Sequence, residues 1–329
     1  MDGKCRNLTL MTDLYELTMM NGYYKLGTAD RTAVFDVFFR QAGQISYAVA
    51  AGLEQVVEYI ENLHFDAEDI DYLRREAGLT EECLDALRDF RFTGDIYSVP
   101  EGTIVFPNEP ILIVRAPLAQ AQLIEPALLN IVNHQTLIAT KASKVKMSAG
   151  DAAVSEFGLR RAQGPDAGIY GARASVIGGC SGTSNVLAGQ MFDIPIKGTM
   201  AHSWIMSFDS ELEAFRKFAE IYPDNTLLLV DTYDTLRSGV PNAIKVFDEL
   251  KAAGRKPVGI RLDSGDLAYL SKKARRMLDA AGHGDAIIFA SCDLDENVIA
   301  SLNQQGAKID AYGVGTRLIT SENMPSLGG

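Results

Sequence analysis

The sequence predicts an α/β barrel that follows a separate N-terminal lobe. Five short apolar runs, each ending in polar residues, occupy the second half of the chain, and amphipathic stretches fill most of the intervals. The steps from His202 to Asp231, Asp263, Asp293 and Thr316 are 29, 32, 30 and 23 residues, which is the spacing of repeated strand–helix units. The runs are IPIKGTMAH (194–202), TLLLVD (226–231), PVGIRLDSGD (257–266), AIIFASCD (286–293) and KIDAYGVGT (308–316).

Length and charge narrow the classes of protein further. With 329 residues, 47% of them hydrophobic, the chain can form two domains or one large barrel with an added lobe. Its 31 basic and 43 acidic side chains give a net charge of −12, which argues against nucleic acid or an anionic membrane as a partner. Any bound phosphate must therefore be held by local arginines, glycine-rich turns or Mg²⁺.

The cysteines and the apolar segments indicate the compartment. Cys5, Cys83, Cys180 and Cys292 are scattered without a CxxC pair, so neither a zinc site nor a disulfide framework is expected. No run reaches the roughly 18 apolar residues of a membrane-spanning helix, and the N-terminus lacks the apolar region of a signal peptide. We expect a soluble, unprocessed protein of the reducing cytoplasm.

The lobe and the barrel are predicted to divide near residue 147. Residues 1–147 are expected to form an α+β lobe and residues 148–329 the barrel domain that carries the active site. The long helical pattern that ends the lobe is expected to break near Pro126. The predicted elements of the lobe are a capped helix at 12–27, a strand at 32–40, a helix at 51–63, a small antiparallel sheet at 92–117 and the long helix at 118–150.

Two arginines and an aromatic residue follow the first strand of the barrel domain. The segment EFGLRRAQGPDAG (156–168) places Phe157, Arg160 and Arg161 together at the end of a strand-like AAVS. Guanidinium groups suit phosphate oxygens, and an aromatic ring can hold a flat ligand. Adjacent arginines can also simply lie on a helix surface, but the neighbouring ring and Gly-rich turn favour a binding site.

One histidine is a candidate for chemistry. His202 follows a strand-ending Gly-Thr and precedes a predicted helix. His64, His134 and His283 have no such setting, and structural roles are expected for them.

Carboxylates and an arginine end the later strands. In a parallel barrel, residues at the C-terminal ends of the strands face the active site, which favours function for Arg261, Asp263 and Asp231. The alternative for Asp263 or Ser264 is that it caps the following helix. Asp293 could likewise be only a helix cap, and the Gly-rich turn GVGT (313–316) could form a backbone cradle for phosphate.

Taken in order, these motifs resemble the nicotinate phosphoribosyltransferase family over nearly the whole chain. The resemblance implies a type II phosphoribosyltransferase fold, in which an N-terminal lobe packs on an irregular TIM-like barrel, and a homodimer with active sites at the subunit interface. It implies that nicotinate and phosphoribosyl pyrophosphate give nicotinate mononucleotide and pyrophosphate, driven by ATP hydrolysis, in NAD biosynthesis. The motifs are TDLYELTMMNGYY, FDVFFR, EFGLRRAQGPD, GTSNVLAGQ, GTMAHSW, VDTYDTLRSG, GIRLDSGDL and GVGT.

The resemblance also implies roles for single residues. Phe157 from one subunit and Tyr15 from the other would sandwich the nicotinate ring, which becomes cationic in the product. Arg261 would hold the carboxylate or a nearby phosphate, and Thr199 would donate a hydrogen bond. The residues implied for phosphoribosyl pyrophosphate are Arg160, Asp293, Gly315 and Thr316.

The same resemblance implies how ATP is used. The matching histidine of the family is phosphorylated by ATP, so His202 is the expected phosphohistidine, and Asp231 and Asp263 would position it and the ribose. No direct metal ligand is assigned, because Mg²⁺ is expected to enter through pyrophosphate.

Three alternatives remain open. Nicotinamide phosphoribosyltransferase uses an aspartate to bind the amide, whereas GCSGTSN (179–185) offers hydroxyls and no carboxylate, so Ser184 is expected to favour the acid. An aldolase or isomerase acting on another sugar phosphate would have Lys197 as its only Schiff-base candidate. A non-catalytic scaffold would not explain why an inward arginine and aspartates stand at successive strand ends. Because the family continues beyond the stretch where PSLGG (325–329) lies, the barrel domain is expected to be incomplete here.

Overall fold

The computed structural model describes residues 7–40 and 45–328, and within them the chain forms two compact units. The first unit runs to Thr140 and includes the chain again from Asn323. The second unit is Lys141–Glu322. Cys5 lies outside the described residues, whereas Cys83, Cys180 and Cys292 are free thiols.

The first unit is an α+β lobe built around two antiparallel sheets. Three strands pair in the order β1-β5-β3, and β2 pairs with β4. Alternate residues of β5 are buried, which is the pattern of a sheet with one face against a core. The strands are β1 (Thr32–Val37), β2 (Ala48–Val49), β3 (Asp95–Ser98), β4 (Ile104–Val105) and β5 (Leu112–Pro117). The helices are α1 (Leu14–Lys25), α2 (Leu53–Glu61), α3 (Ala67–Glu76), α4 (Glu81–Arg88) and α5 (Leu118–Ala149), of which the part from Lys141 onward belongs to the second unit.

The predicted helices at 12–27 and 51–63 and the sheet at 92–117 are confirmed, but the predicted break in the long helix is wrong. Helix α5 is 32 residues long and continues through Pro126 without a break. Leu123, Ile124, Ala127 and Leu128 on either side of the proline are fully or almost fully buried. Tertiary packing of this stretch therefore outweighs the cost of one missing backbone hydrogen bond.

The second unit contains a five-stranded parallel sheet in the order β6-β10-β9-β8-β7. The strands Leu227–Leu229, Ile287–Ser291 and Ala311–Val314 are buried over all or most of their length, as expected for strands covered on both faces. The strands are β6 (Ala153–Glu156), β7 (Leu227–Leu229), β8 (Gly259–Leu262), β9 (Ile287–Ser291) and β10 (Ala311–Val314). The helices are α6 (Pro165–Ile177), α7 (Val186–Phe192), α8 (His202–Met206), α9 (Glu211–Ile221), α10 (Val240–Ala252), α11 (Leu267–Ala280), α12 (Glu296–Gln304) and α13 (Thr316–Ile319), with a 3₁₀ turn at Leu159–Arg161 and a π turn at Thr235–Gly239.

The sheet continues past β6 through two single bridges, which makes the barrel irregular. Glu156 bridges to Thr183, and Thr183 bridges to Ile196. Four of the five predicted strands are confirmed, but the predicted strand at 194–202 is reduced to the bridge at Ile196. Pro195 cannot donate to a ladder and Gly198 weakens a strand, so extended pairing ends there. Within the described residues, no helix is long and apolar enough to cross a membrane.

Candidate active site

A cleft lies at the C-terminal ends of the parallel strands of the second unit. It consists of two adjoining cavities that share Phe157, Arg160, Arg261 and Asp263. The arginine cavity, of about 240 Å³, is also lined by Arg161, Ser291, Cys292, Asp293, Gly313, Gly315 and Thr316. The histidine cavity, of about 390 Å³, is also lined by Leu159, Ser184, Gly198, Thr199, Met200, Ala201, His202 and Leu229.

The structure brings together most of the residues predicted from sequence. Ten of them line the two cavities: Phe157, Arg160, Ser184, Thr199, His202, Arg261, Asp263, Asp293, Gly315 and Thr316. Asp231 is hydrogen-bonded to the imidazole of His202. Tyr15 belongs to the first unit, where it is half exposed and lines a different cavity with Asp13 and Phe38. A hydrogen bond to Glu16 raises the pKa of the Tyr15 hydroxyl to about 12, with burial and nearby carboxylates adding to the effect.

His202 is oriented by a buried carboxylate. Its Nε2 lies 3.2 Å from Oδ1 of Asp231, whose side chain is 1% exposed. The other oxygen of Asp231 accepts hydrogen bonds from the Asp263 backbone N–H at 2.8 Å and the Ser264 hydroxyl at 2.6 Å. Because both carboxylate oxygens are held, the imidazole keeps Nε2 toward Asp231, and Nδ1 has no side-chain partner among the residues that the structure describes. His202 itself begins α8 and remains 39% exposed.

A second Asp–His pair of this unit lies outside the cleft. His283 Nε2 lies 2.9 Å from Asp248 Oδ1, and the His283 side chain is buried away from the cleft. The ring of His283 packs edge-on against Phe247.

Arg261 is fixed by three hydrogen bonds. Nε donates to the Ser291 hydroxyl at 2.8 Å, Nη1 to the Met200 carbonyl at 3.2 Å, and Nη2 to Asp263 Oδ1 at 3.0 Å. The Ser291 hydroxyl in turn donates to Asp263 Oδ1. The helix cap of α11 is Asp266, which accepts from the Tyr269 N–H, so the alternative that Asp263 or Ser264 caps this helix is wrong.

The ring of Phe157 forms a flat apolar surface beside Arg261. Its centroid lies 5.9 Å from Cζ of Arg261 and 5.7 Å from the Phe289 centroid, with the two rings inclined by 25°. Gly313 permits this arrangement, because a Cβ there would lie 2.6 Å from the Phe157 ring. Across the histidine cavity, Thr199 Oγ1 is buried and has no hydrogen-bond partner among the described residues. The cleft therefore combines an aromatic face, a cation and an unused hydroxyl.

The arginine cavity is suited to an anion. Arg160 and Arg161 are exposed and form no side-chain hydrogen bond or ion pair within the described part of the chain. Asp293 lines the same cavity and is not the cap of α12, because Asp295 caps that helix by accepting from the Val298 N–H. The alternative cap role of Asp293 is therefore wrong. Two unpaired guanidinium groups leave room for phosphate oxygens.

Sequence reasoning missed the buried residues that hold the cleft. Ser291 closes β9 and contacts both Arg261 and Asp263, but a serine in an apolar run gives no signal by itself. Asp295 forms an ion pair at 2.7 Å with Arg317, the residue that follows Thr316 in the chain. Glu156 precedes Phe157 in the EFGLRR motif. Its position at the end of a strand is the sequence signal that could have assigned it to the cleft.

The side chains of the cleft limit how Mg²⁺ could be bound. Within residues 7–40 and 45–328, no group of three or more His, Cys, Asp or Glu side chains is arranged to hold a metal ion. Asp263 and Asp293 are carboxylates of the arginine cavity. One or two protein carboxylates fit a Mg²⁺ whose other ligands are phosphate oxygens and water.

The fold and the cleft define the class of protein. A lobe followed by an irregular parallel barrel, with an arginine-lined cleft at its strand ends, is the type II phosphoribosyltransferase fold. Sequence models of the nicotinate phosphoribosyltransferase (NAPRTase) family match residues 10–133 with the N-terminal domain and residues 152–325 with the family domain. The chain belongs to the nicotinate phosphoribosyltransferase family.

Individual relatives agree with the family models. The chain is 54% identical to nicotinate phosphoribosyltransferase of Bacillus subtilis over 98% of its own length and 66% of the relative's. It is 48% identical to nicotinate phosphoribosyltransferase pncB2 of Mycobacterium tuberculosis over 97% of this chain and 68% of the relative. The chain thus spans about two thirds of the length of these curated relatives.

Solved structures show the same fold. The crystal structure of human nicotinic acid phosphoribosyltransferase superimposes with a TM-score of 0.85 and 31% identity, covering 92% of this chain and 72% of that one. Nicotinate-nucleotide pyrophosphorylase of Pyrococcus furiosus superimposes with a TM-score of 0.76 and 26% identity, covering 96% and 72%.

Proposed function

We propose that the protein transfers phosphoribose from phosphoribosyl pyrophosphate to nicotinate, giving nicotinate mononucleotide and pyrophosphate in NAD biosynthesis, with ATP hydrolysed through a phosphohistidine. The observation that carries the proposal is the pairing of Arg261 with the Phe157 ring at 5.9 Å. A flat anionic base needs both an aromatic face and a fixed cation, and this cleft offers them side by side.

Nicotinate would occupy the region where the two cavities meet. Its ring would stack on Phe157, and its carboxylate would accept from Arg261 or from the hydroxyls of Thr199 and Ser184. The unpartnered Thr199 Oγ1 supports this assignment, because a buried hydroxyl without a hydrogen bond is costly unless a ligand satisfies it. As the glycosidic bond forms, the ring nitrogen becomes cationic, and attraction to the Phe157 face increases.

Phosphoribosyl pyrophosphate would occupy the arginine cavity. Arg160 and the Gly315–Thr316 turn would bind phosphate oxygens, while Asp263 and Asp293 would face the ribose and the Mg²⁺ that enters with pyrophosphate. Mg²⁺ would neutralise the leaving pyrophosphate. The unpaired charge of Arg160 supports the assignment, since a phosphate would neutralise it.

His202 would accept a phosphoryl group from ATP at Nδ1. The Nδ1–phosphorus bond would form as the bond between the γ-phosphorus and the bridging oxygen of ATP breaks, and ADP would leave. The Nε2–H would stay directed at Asp231, which stabilises the charge that the ring acquires. Water would later cleave the phosphohistidine to give phosphate.

The assembly and the compartment follow from the same proposal. We expect a homodimer in which Tyr15 of one subunit covers the nicotinate site of the other, because Tyr15 is half exposed on its own unit. A cytoplasmic location is consistent with three free thiols among the described residues.

The test compares two bases and two histidine variants. Purified protein with Mg²⁺ and phosphoribosyl pyrophosphate should convert nicotinate faster than nicotinamide, and ATP should raise the nicotinate rate. His202→Ala should lose the ATP effect, whereas His283→Ala, which removes the other Asp-paired histidine, should keep it. Equal use of both bases, or no transfer by folded wild-type protein, would refute the proposal.

A further inference from the structure

Glu156 is a fully buried carboxyl group that the proposed chemistry does not use. Its side chain is 0% exposed, and within the described residues it forms no ion pair with a cation. Burial raises the pKa of this carboxyl, and hydrogen bonds from Thr183 and Gly158 oppose that shift. A buried carboxyl without a countercharge is costly, so its position calls for a reason.

The contacts of Glu156 join three segments that supply groups to the cleft. Oε1 accepts from the backbone N–H of Gly158, and Oε2 accepts from the Thr183 hydroxyl at 2.5 Å. The backbone carbonyl of Glu156 accepts from the N–H of Ser184 at 2.9 Å. One residue therefore holds the strand end before Phe157, the turn before Arg160 and the loop that carries Ser184.

The close contact between Glu156 and residue 158 requires a glycine at that position. A Cβ at Gly158 would lie 2.8 Å from Oε1 of Glu156 and 2.4 Å from the Ile319 side chain. Only glycine lets the backbone approach the carboxylate this closely. Thr183 is equally committed, because its hydroxyl also accepts from the Asn185 N–H at 3.0 Å. Every partner of the Glu156 side chain thus lies within two residues of a group lining the cleft.

We propose that Glu156 is a positioning residue that holds Phe157 and Ser184 in register for the base. The inference rests on the proposed function, since it concerns how the nicotinate site is assembled. Removing the Thr183 hydroxyl releases only the loop of Ser184, whereas removing the carboxyl also releases the Gly158 turn and Arg160. The two changes should therefore have different kinetic signatures.

The experiment measures KM for nicotinate and for phosphoribosyl pyrophosphate in three variants. Thr183→Val should raise the nicotinate KM about tenfold and change the other KM by less than about twofold, because a buried hydrogen bond is lost on the base side alone. Glu156→Ala should raise both KM values. Glu156→Gln should recover part of the nicotinate KM, because an amide can still bond to both partners.

Two controls separate positioning from general stability. Glu211 is another buried carboxyl of the second unit, bonded to Asn242 at 3.0 Å and absent from the cleft lining. Glu211→Ala should lower the thermal midpoint and leave both KM values unchanged. Adding Thr183→Val to Glu156→Ala should raise the nicotinate KM no further, because the partner is already gone.

The outcomes are distinct for the two proposals. Absence of nicotinate turnover by folded wild-type protein would overturn the proposed function and this inference together. A wild type that turns over nicotinate, with an unchanged nicotinate KM in Thr183→Val, would overturn the inference alone. If Glu156→Ala does not fold, Thr183→Val and Glu156→Gln still decide the question.

Discussion

Gly313→Ala tests the role of the Phe157 ring without replacing Phe157 itself. The added Cβ would lie 2.6 and 2.7 Å from two ring carbons of Phe157 and 2.9 Å from Phe289. Carbon atoms in contact lie about 3.5–4.0 Å apart, so the ring must move by about 1 Å. The backbone of Gly313 is not in the left-handed region, so alanine introduces no dihedral strain there.

The displacement has two expected costs. Overpacking a buried position destabilises a protein by about 1–3 kcal/mol, so the thermal midpoint should fall. A shift of about 1 Å in a group that positions substrate can cost up to about 10²-fold, and we expect the nicotinate KM to rise about tenfold. The KM for phosphoribosyl pyrophosphate should change less, because the three atoms nearest the new Cβ belong to Phe157 and Phe289 and not to Arg160 or Thr316.

Steady-state kinetics with each substrate varied in turn provide the assay. Gly284→Ala is the matched control, since its Cβ would meet only Asp279 Oδ1 at an ordinary 3.6 Å. In a Phe157→Ala background, Gly313→Ala should have little further effect on the nicotinate KM, because its steric partner is absent. A nicotinate KM within about twofold of wild type in folded Gly313→Ala would refute the stacking role of Phe157.

Four further predictions follow from the contacts described. His202→Ala should abolish stimulation by ATP and spare a slow ATP-independent transfer, measured as initial rates with and without ATP; unchanged stimulation would remove His202 from the coupling. Asp231→Asn should lower the ATP-stimulated rate at least about tenfold, because the imidazole loses its carboxylate partner; a wild-type rate would contradict this. Tyr15→Ala should raise the KM for nicotinate much more than that for phosphoribosyl pyrophosphate, and equal effects would argue against stacking. Glu211→Gln should flatten the pH dependence of stability: burial raises the pKa of Glu211 above its ordinary 4.5, so wild type loses stability as pH rises through the higher folded value. Urea unfolding between about pH 4 and 8 measures it, and parallel curves would disprove it.

The sequence predicts the barrel strands well, because four of them are continuous apolar runs with polar residues at their ends. Arg261, Asp263 and Asp293 could be assigned to the cleft for that reason. The run at 194–202 also ends in polar residues but pairs only at Ile196, because Pro195 and Gly198 prevent extended pairing there. Pro126 misleads for a related reason, because packing around α5 outweighs local propensity.

The helix caps show a second limit of sequence reasoning. Asp263 and Asp293 each stand two or three residues before the true caps, Asp266 and Asp295. A cap is decided by which carboxylate reaches the N–H three residues on, and neighbouring aspartates in a short loop compete equally on sequence alone. The structure assigns the cap to the later aspartate in both loops and leaves the earlier one facing the cleft.

Hydrogen bonds and ion pairs of the buried carboxylates explain how an acidic chain can have a cleft with unpaired positive charge. Glu156 and Asp231 accept backbone N–H and hydroxyl hydrogen bonds, and Asp295 accepts an N–H and pairs with Arg317. Burial raises the pKa of Asp295, but its bonds to Val298 and Arg317 outweigh this and lower it. Arg160 and Arg161, in contrast, have no carboxylate partner within the described residues. The two unpaired arginines outnumber Asp293, the carboxylate of the same cavity that has no hydrogen-bond or ion-pair partner among the described residues. The unpaired charge there is therefore positive on balance although the whole chain carries −12, and local pairing, more than net charge, determines which ligand can bind.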